Sequence, residues 1–205
     1  MDNALIIFIK NPVKGKVKTR LAATIGDDMA LATYRKLLKH TLNIVEHVTA
    51  DKFIFFSDSI DESIGYANTP VHKVVQSGND LGEKMKNAFV QFFKSGYKRV
   101  SIIGTDCPGI SANIFEGAYS KLNNSDVVIG PANDGGYYLL GIKEMHSALF
   151  EKIAWSTSTV LHSTIECCNT NNLSYSLLLA LSDVDEEKDL VHLENLVNLE
   201  MKKTE

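Results

Sequence analysis

The sequence contains no long apolar run, few cysteines and no excess of positive charge. No apolar stretch approaches the roughly 18 residues that a membrane-spanning helix needs, and the start of the chain lacks the basic segment of a signal peptide. The 3 cysteines form neither a CxxC pair nor a disulfide framework, which predicts reduced thiols in a cytoplasmic protein. A formal net charge of -4 argues against bulk nucleic-acid binding, which usually requires a basic domain.

Several common catalytic sequence patterns are also missing. GxxxxGK[ST] does not occur, and no GxGxxG follows the first apolar run, which excludes a P-loop and the usual dinucleotide-binding loop. GxSxG and HExxH are absent as well, which argues against an α/β-hydrolase nucleophile and a zinc protease. The 6 histidines are scattered, and we assign none of them a catalytic role.

Short apolar runs alternate along the chain with stretches of helical periodicity. The apolar runs cover residues 4–9, 52–57, 71–76, 99–104 and 126–130, followed by another at 137–140. Their near-continuous apolar character is typical of parallel strands buried on both faces. Helices are predicted over 27–48, from Asp80 to Gly96 and over 111–122.

This alternation predicts an α/β fold, with one domain over residues 1–205 and a mostly parallel sheet between two layers of helices. Ligands of such sheets bind beyond the carboxyl ends of the strands. We therefore expect the functional residues in the loops that follow the apolar runs.

The loop after the first run, 10-KNPVKGKVKTR-20, contains five cations and no acid. Two interpretations stay open at this point: a solvated basic loop, or a loop that holds an anion such as a phosphate chain. Its position after the first predicted strand favours the anion. The candidate anion-binding residues are Lys10, Lys14, Gly15, Lys18 and Arg20, whereas Lys16 is expected to face water.

The loops after the fourth and fifth runs carry acids beside glycines. Asp106 in 104-GTDCPG-109 is a candidate ligand for Mg²⁺ or Mn²⁺, although an aspartate there could equally cap the next helix. In 130-GPANDGGYYLLG-141, Asp134 is a candidate catalytic residue, and Gly135, Gly136 and Tyr137 are candidates for ligand contact. A hairpin turn explains the same Asp-Gly sequence.

Two further segments are candidates for the site. The stretch 77-SGNDLGEKM-85 leads into a helix, so Asp80 is either an N-cap or part of an anion site that includes Gly82. Near the end of the chain, Asp183 and Asp185 are spaced two apart and could complete a metal site, or stabilise a helix dipole.

Taken in order, the segments FIKNPVKGKVKTRL, QSGNDLGEKM, IIGTDCPG, VVIGPANDGGYYLLG, IAWST and DVDEEKDL resemble the DUF2064 family. This is a bacterial group of GT-A-type transferases related to the nucleotide-diphospho-sugar transferases. The resemblance implies a GT-A fold, a Rossmann-like α/β/α sandwich that binds a nucleotide at its strand ends. It also implies that Asp106 holds the metal and that Lys18 and Arg20 hold the phosphates.

The resulting hypothesis is a cytoplasmic transferase that depends on Mg²⁺ or Mn²⁺ and uses a nucleotide-activated small-molecule donor, in the first place a nucleotide sugar. Asp106 with Asp183 or Asp185 would hold the metal, and Asp134 would be the base near an unknown acceptor. Nucleotidyl transfer, with release of pyrophosphate, is the alternative within the same superfamily. A nucleotide-binding protein without catalysis is the alternative from another class, and a homodimer is left open.

Overall fold

The computed structural model describes residues 2–66 and 71–193, so the predicted domain of residues 1–205 extends beyond the described part of the chain. Its strands are β1 (Asn3–Ile9), β2 (Asp51–Phe56), β3 (His72–Val75), β4 (Arg99–Ile103), β5 (Val127–Pro131), β6 (Tyr137–Ile142) and β7 (Tyr175–Leu177). They form a 7-stranded sheet in the order β3-β2-β1-β4-β6-β5-β7. All neighbouring strands are parallel except at β6, which runs antiparallel to both β4 and β5. The prediction of a mostly parallel sheet is confirmed.

The helices are α1 (Thr19–Ile25), α2 (Asp27–Glu46), α3 (Leu81–Lys94), α4 (Ala112–Lys121) and α5 (Val160–Thr170), with 3-10 turns at Ser147–Phe150 and Glu187–Asp189. Within the described ranges, none of the helices has the length and apolar character needed to cross a membrane.

The buried side chains of β1 alternate between two cores, as the period of two in a strand requires. Leu5 and Ile7 pack in a core that also contains side chains of α2 and α4. Ala4 and Ile6 pack on the opposite face of the sheet, in a core that contains side chains of α3 and α5. Helices therefore cover both faces, and the predicted α/β/α sandwich is confirmed.

Helix α3 illustrates how local sequence positions the site. Asp80 caps it, because its carboxylate accepts a hydrogen bond from the Glu83 N–H at 2.8 Å. Apolar residues at helical spacing, among them Met85, Phe89 and Phe92, are buried against the sheet. This packing holds the first turn of α3 at the carboxyl end of β3.

Three elements were not predicted from the sequence: α1, α5 and β7. The apolar run at 137–140 was predicted as a strand, but its direction was not predicted. It forms β6, which lies between β4 and β5 in the sheet. The hairpin interpretation of the Asp-Gly sequence is correct, because β5 and β6 pair antiparallel across residues 132–136.

Candidate active site

A cavity of about 600 Å³ lies at the carboxyl ends of β1 to β4. Residues that follow each of these strands line it, including Lys10, Ser57, Gln76 and Asp106. This is the edge at which parallel α/β sheets bind ligands, so the location expected from the sequence holds a cavity of ligand size.

Lys18 is the central cation of the cavity. Its side chain is only 4% exposed, and its ammonium makes ion pairs with Oδ1 of Asp106 and, at 2.9 Å, with Oδ1 of Asp185. The backbone of Lys18 is left-handed, with φ 49°, at the residue before α1. This conformation is uncommon for a residue with a side chain. The loop after β1 thus directs Lys18 inward at a conformational cost.

Asp185 has two cationic partners. Arg20 contacts its second carboxylate oxygen at 2.5 Å, while Lys18 contacts the first. The segment is fixed behind it, because Asp189 accepts hydrogen bonds from the backbone N–H groups of Asp185 and Glu186. Acids and bases that are distant in the sequence therefore meet in the cavity.

The charges of this cluster follow from its partners. Burial disfavours the Lys18 ammonium, but the attraction of Asp106 and Asp185 outweighs it and raises the pKa of Lys18. Burial likewise opposes ionisation of Asp185, yet Lys18 and Arg20 keep the pKa of this carboxyl below its usual value. At neutral pH the cluster holds ionised groups of both signs.

Asp183 lies in a different environment from Asp185. Burial raises the pKa of the Asp183 carboxyl to about 7, and nearby carboxylates contribute in the same direction. It accepts a hydrogen bond from the Cys107 thiol, whose own pKa is raised mainly by burial. Between the two acids, the Val184 N–H donates to the Asp106 carbonyl at 3.0 Å, which ties the acidic segment to the loop after β4.

Lys10 is anchored by its backbone. Its N–H donates to the Tyr34 hydroxyl at 2.9 Å, and that hydroxyl donates to the Lys10 carbonyl at 2.7 Å. Burial raises the pKa of Tyr34 to about 12, so the phenol stays protonated. The Lys10 side chain lines the cavity together with Lys18 and Arg20.

Other residues of the basic loop lie away from the cavity lining. Lys14 is an exposed lysine that pairs with Asp28 at 2.7 Å. Gly15 adopts φ +76°, which a glycine tolerates, and so provides the turn of the loop. Lys16 is exposed to solvent, as expected.

The glycine-rich turn at residues 132–136 also lies outside the lining, which includes Tyr137 and Tyr138 of β6. The exposed Asp134 carboxylate accepts the Gly136 N–H at 2.9 Å, a local turn contact. Gly135 has φ +91°, and a Cβ there would lie 2.1 Å from the Ser158 carbonyl oxygen. These residues form a turn packed against the segment before α5. Their predicted catalytic and binding roles stay predictions.

Gly82, in the first turn of α3, is packed against Trp155. A Cβ on Gly82 would lie 2.1 Å from the indole Nε1. The glycine therefore permits a close approach of helix and indole, whereas a direct contact of Gly82 with a ligand stays a prediction.

The carboxylates of the cavity fit a divalent cation. Asp106 and Asp185 both direct an oxygen at the Lys18 ammonium. The two carboxylates therefore converge on one position, which the Lys18 ammonium occupies. Mg²⁺ and Mn²⁺ typically use one or two protein carboxylates together with phosphate oxygens of the substrate. Among the described residues, no three His, Cys, Asp or Glu side chains form a metal-holding group. Asp106 and Asp185 are the residues of this cavity that would hold such an ion.

Some lining residues were not predicted individually. Tyr34 lies in the middle of α2, where the sequence indicates only an apolar face. Ser57 and Gln76 follow directly after β2 and β3, so the rule that ligands bind beyond strand ends pointed to their loops without naming the side chains.

A comparison with family models matches residues 41–157 to the family described as uncharacterized protein conserved in bacteria (DUF2064). A search of curated proteins gives no match.

Solved structures share the fold over nearly the whole chain. A proposed nucleotide-diphospho-sugar transferase from Desulfovibrio desulfuricans G20 is 31% identical, with a TM-score of 0.86 over 95% of this chain and 87% of that chain. The manganese complex of Rv0371c from Mycobacterium tuberculosis H37Rv is 10% identical, with a TM-score of 0.59 over 97% and 99% of the two chains. A CMP:2-keto-3-deoxy-manno-octonic acid synthetase bound to CTP is 9% identical, with a TM-score of 0.58 over 98% and 100%.

The mostly parallel sheet, its two helical layers and the cavity at its carboxyl edge define the GT-A-like fold class of the nucleotide-diphospho-sugar transferases. The chain belongs to the DUF2064 family. Family and fold both agree with the transferase class that the sequence predicted.

Proposed function

We propose that the protein is a divalent-metal-dependent transferase that acts on a nucleotide substrate, and that its reaction is nucleotidyl transfer. The observation that supports this most directly is the meeting of Lys18 and Arg20 with Asp106 and Asp185 in one cavity of about 600 Å³. A cavity that combines cations with a pair of convergent carboxylates suits a phosphate chain and its metal.

The cations are suited to stabilising a leaving phosphate group. In nucleotidyl transfer, an acceptor oxygen forms a bond to the α-phosphorus while the bond from that phosphorus to the bridging oxygen breaks, and pyrophosphate leaves with the electron pair. Lys18, Arg20 and Lys10 line the same cavity and would neutralise the charge that develops on the pyrophosphate. Lys18 would exchange a carboxylate partner for a phosphate oxygen.

Asp106 and Asp185 would hold the metal, since both present an oxygen to one cation position. When bound, Mg²⁺ or Mn²⁺ supplies charge neutralisation on the phosphate oxygens. Asp183, whose carboxyl accepts a hydrogen bond from the Cys107 thiol, would support this site without holding the metal.

Two features favour nucleotidyl transfer over glycosyl transfer. Cations close to the first strand suit a triphosphate, which carries more charge than the diphosphate of a nucleotide sugar. Glycosyl transfer with inversion needs a base near the acceptor, and Asp134, the candidate for that role, lies outside the cavity lining.

Glycosyl transfer from a nucleotide sugar is the second candidate. It is favoured by the relative that is 31% identical, whose description is that of a nucleotide-diphospho-sugar transferase. The acceptor would then attack the sugar carbon, and a nucleoside diphosphate would leave into the same group of cations.

A product assay distinguishes the candidates. The purified chain is incubated with Mg²⁺ or Mn²⁺, sugar phosphates and each nucleoside triphosphate, and released pyrophosphate is measured; parallel reactions contain nucleotide sugars and are assayed for nucleoside diphosphate. Pyrophosphate release supports the proposal, and release of nucleoside diphosphate from a nucleotide sugar supports the second candidate. If nucleotides bind and neither product forms, the chain is a nucleotide-binding protein without catalysis.

A further inference from the structure

The cavity has two chemically different ends. Lys18, Arg20, Asp106 and Asp185 form the ionic end, after β1 and β4 and in the segment before Glu187–Asp189. On the other side of β1, the loops after β2 and β3 contribute polar side chains of another kind. We call these side chains the acceptor cluster; its members are Ser57, Gln76, Asn79 and Asp80.

The Gln76 amide has a defined orientation. Its Nε2 donates to the Ile9 carbonyl at 3.2 Å and to the Phe55 carbonyl at 2.9 Å. Carbonyl oxygens only accept, so the amide nitrogen must occupy this side and both of its N–H groups are engaged. The amide oxygen of Gln76 therefore points away from the ends of β1 and β2 and remains as an acceptor for a ligand in the cavity that Gln76 lines.

Asn79 is restricted in the same way. Its Nδ2 donates to Oε2 of Glu83 at 2.9 Å, beside its backbone N–H, which donates to the same oxygen at 2.8 Å. A carboxylate only accepts, so this amide cannot be reversed either. Its oxygen and its second Nδ2–H are the groups that it can offer to a ligand.

The remaining two members also offer acceptors. The Ser57 hydroxyl has its single proton directed to the side-chain oxygens of Asn11 or Asp58, and it accepts the Asn11 N–H at 3.1 Å. Asp80 uses one carboxylate oxygen to cap α3, and an ionised carboxylate has no proton to donate. Ser57, Gln76 and Asp80 thus present hydrogen-bond acceptors at this end of the cavity, which Lys84 of α3 also lines as a donor.

We infer that this end of the cavity holds a nucleobase that carries an exocyclic amino group, with Gln76 as a specificity-determining residue. The inference rests on the proposed function, since the ionic end would hold the phosphates of the same nucleotide. Guanine, cytosine and adenine each present N–H₂ donors to acceptor oxygens. Uracil presents a carbonyl on either side of its one N–H. A uracil carbonyl that faces an acceptor oxygen of the protein leaves both oxygens without a hydrogen bond.

The experiment compares ligands that differ in one amino group. Binding of CTP against UTP, of GTP against ITP, and of ATP against purine riboside triphosphate is measured by calorimetry in the presence of Mg²⁺. Binding of inorganic pyrophosphate is measured in parallel. We expect the amino-bearing member of at least one pair to bind about tenfold to a hundredfold more tightly, the effect of one unpaired buried polar group.

Gln76→Met tests the residue, because it preserves length and removes the acceptor. We expect this variant to bring the affinity ratio of the discriminated pair close to one while pyrophosphate binds as in the natural chain. Gln91→Met is the matched control, since Gln91 does not line this cavity, and it should preserve the ratio. Unchanged pyrophosphate affinity excludes general misfolding as the cause of a lost ratio.

Failure of the inference and failure of the proposed function give different results. If pyrophosphate and nucleotides bind but none of the three pairs is discriminated, or if Gln76→Met preserves the discrimination, the inference is overturned and the proposed function stands. If neither pyrophosphate nor any nucleotide binds with Mg²⁺ present, the proposed function is overturned and the inference with it.

Discussion

Lys18 and Asp185 form a 2.9 Å ion pair across 167 positions of the sequence. The pair joins the loop after β1 to the segment before Glu187–Asp189, and the second carboxylate in contact with Lys18 comes from the loop after β4. One ammonium thus connects three separate segments of the chain at the cavity.

Replacing Lys18 by Met should destabilise the chain without metal and strengthen its response to metal. Asp106 and Asp185 would lose their shared cation, which should lower the free energy of unfolding by about 1–3 kcal/mol, less than for a fully buried pair because Asp106 is 44% exposed. Mn²⁺ should then raise the melting temperature of the variant more than that of the natural chain. Lys14→Met, at an exposed ion pair, is the control, and equal Mn²⁺ responses of all three proteins would contradict the prediction.

Asp106→Asn should abolish most of the catalytic activity. The amide keeps the shape but loses the charge that attracts Lys18 and would hold a metal, so we expect kcat to fall by about 10²–10³-fold. The assay is the release of product in the presence of Mg²⁺. Asp28→Asn, which breaks only an exposed pair with Lys14, should stay active. A fully active Asp106→Asn variant would remove Asp106 from the proposed mechanism.

Asp183 should make stability depend on pH. In the unfolded chain the carboxyl has its ordinary pKa of 3.8, and in the folded chain burial raises this pKa to about 7. Between these values the folded state holds a proton that the unfolded state has lost. The contribution is therefore fully present below pH 3.8 and is lost as the pH rises through 7, at no more than about 1.4 kcal/mol per pH unit.

Urea denaturation at pH 5 and pH 8 measures this effect. Asp183→Asn removes the titrating group, so the stability of this variant relative to the natural chain should increase from pH 5 to pH 8. Parallel pH profiles for the two proteins would mean that Asp183 ionises in the folded state as it does in the unfolded chain.

Two glycine substitutions in helices should have opposite effects. Gly82→Ala would place a Cβ 2.1 Å from Trp155 Nε1, and the required displacement should cost about 1–3 kcal/mol. Gly117→Ala in α4 meets nothing within 4 Å and should stabilise the chain by about 0.5–1 kcal/mol. Both changes are measured by chemical denaturation. A stabilising Gly82→Ala would indicate that the Trp155 ring can move at little cost.

Sequence reasoning located the ionic end of the cavity because it depends on topology. Lys18, Arg20 and Asp106 follow apolar runs, and the carboxyl ends of parallel strands share an edge, so their proximity could be predicted. The direction of β6 could not be predicted, because an apolar run has the same sequence pattern in a parallel and in an antiparallel strand.

The hydrogen-bond and ion-pair partners of the site residues were less predictable than the location of the site. The spacing of Asp183 and Asp185 left open which acid would complete a metal site, whereas the structure places Asp183 beside Cys107, where burial raises its pKa. The role of Gln76 depends on the Ile9 and Phe55 carbonyls, which meet it only when β1, β2 and β3 are aligned. Contacts of this kind are set by tertiary structure and have no local sequence signal.

The strand order has a consequence for how such a protein can diversify. From β1 the chain proceeds outward through β2 and β3, then returns to add β4 on the opposite side of β1. The loops that leave β1 and β4 therefore separate, and the cleft between them results from the path of the chain. Its existence does not depend on which side chains line it. Substitutions at the lining can change the bound molecule over evolution while the cleft itself persists.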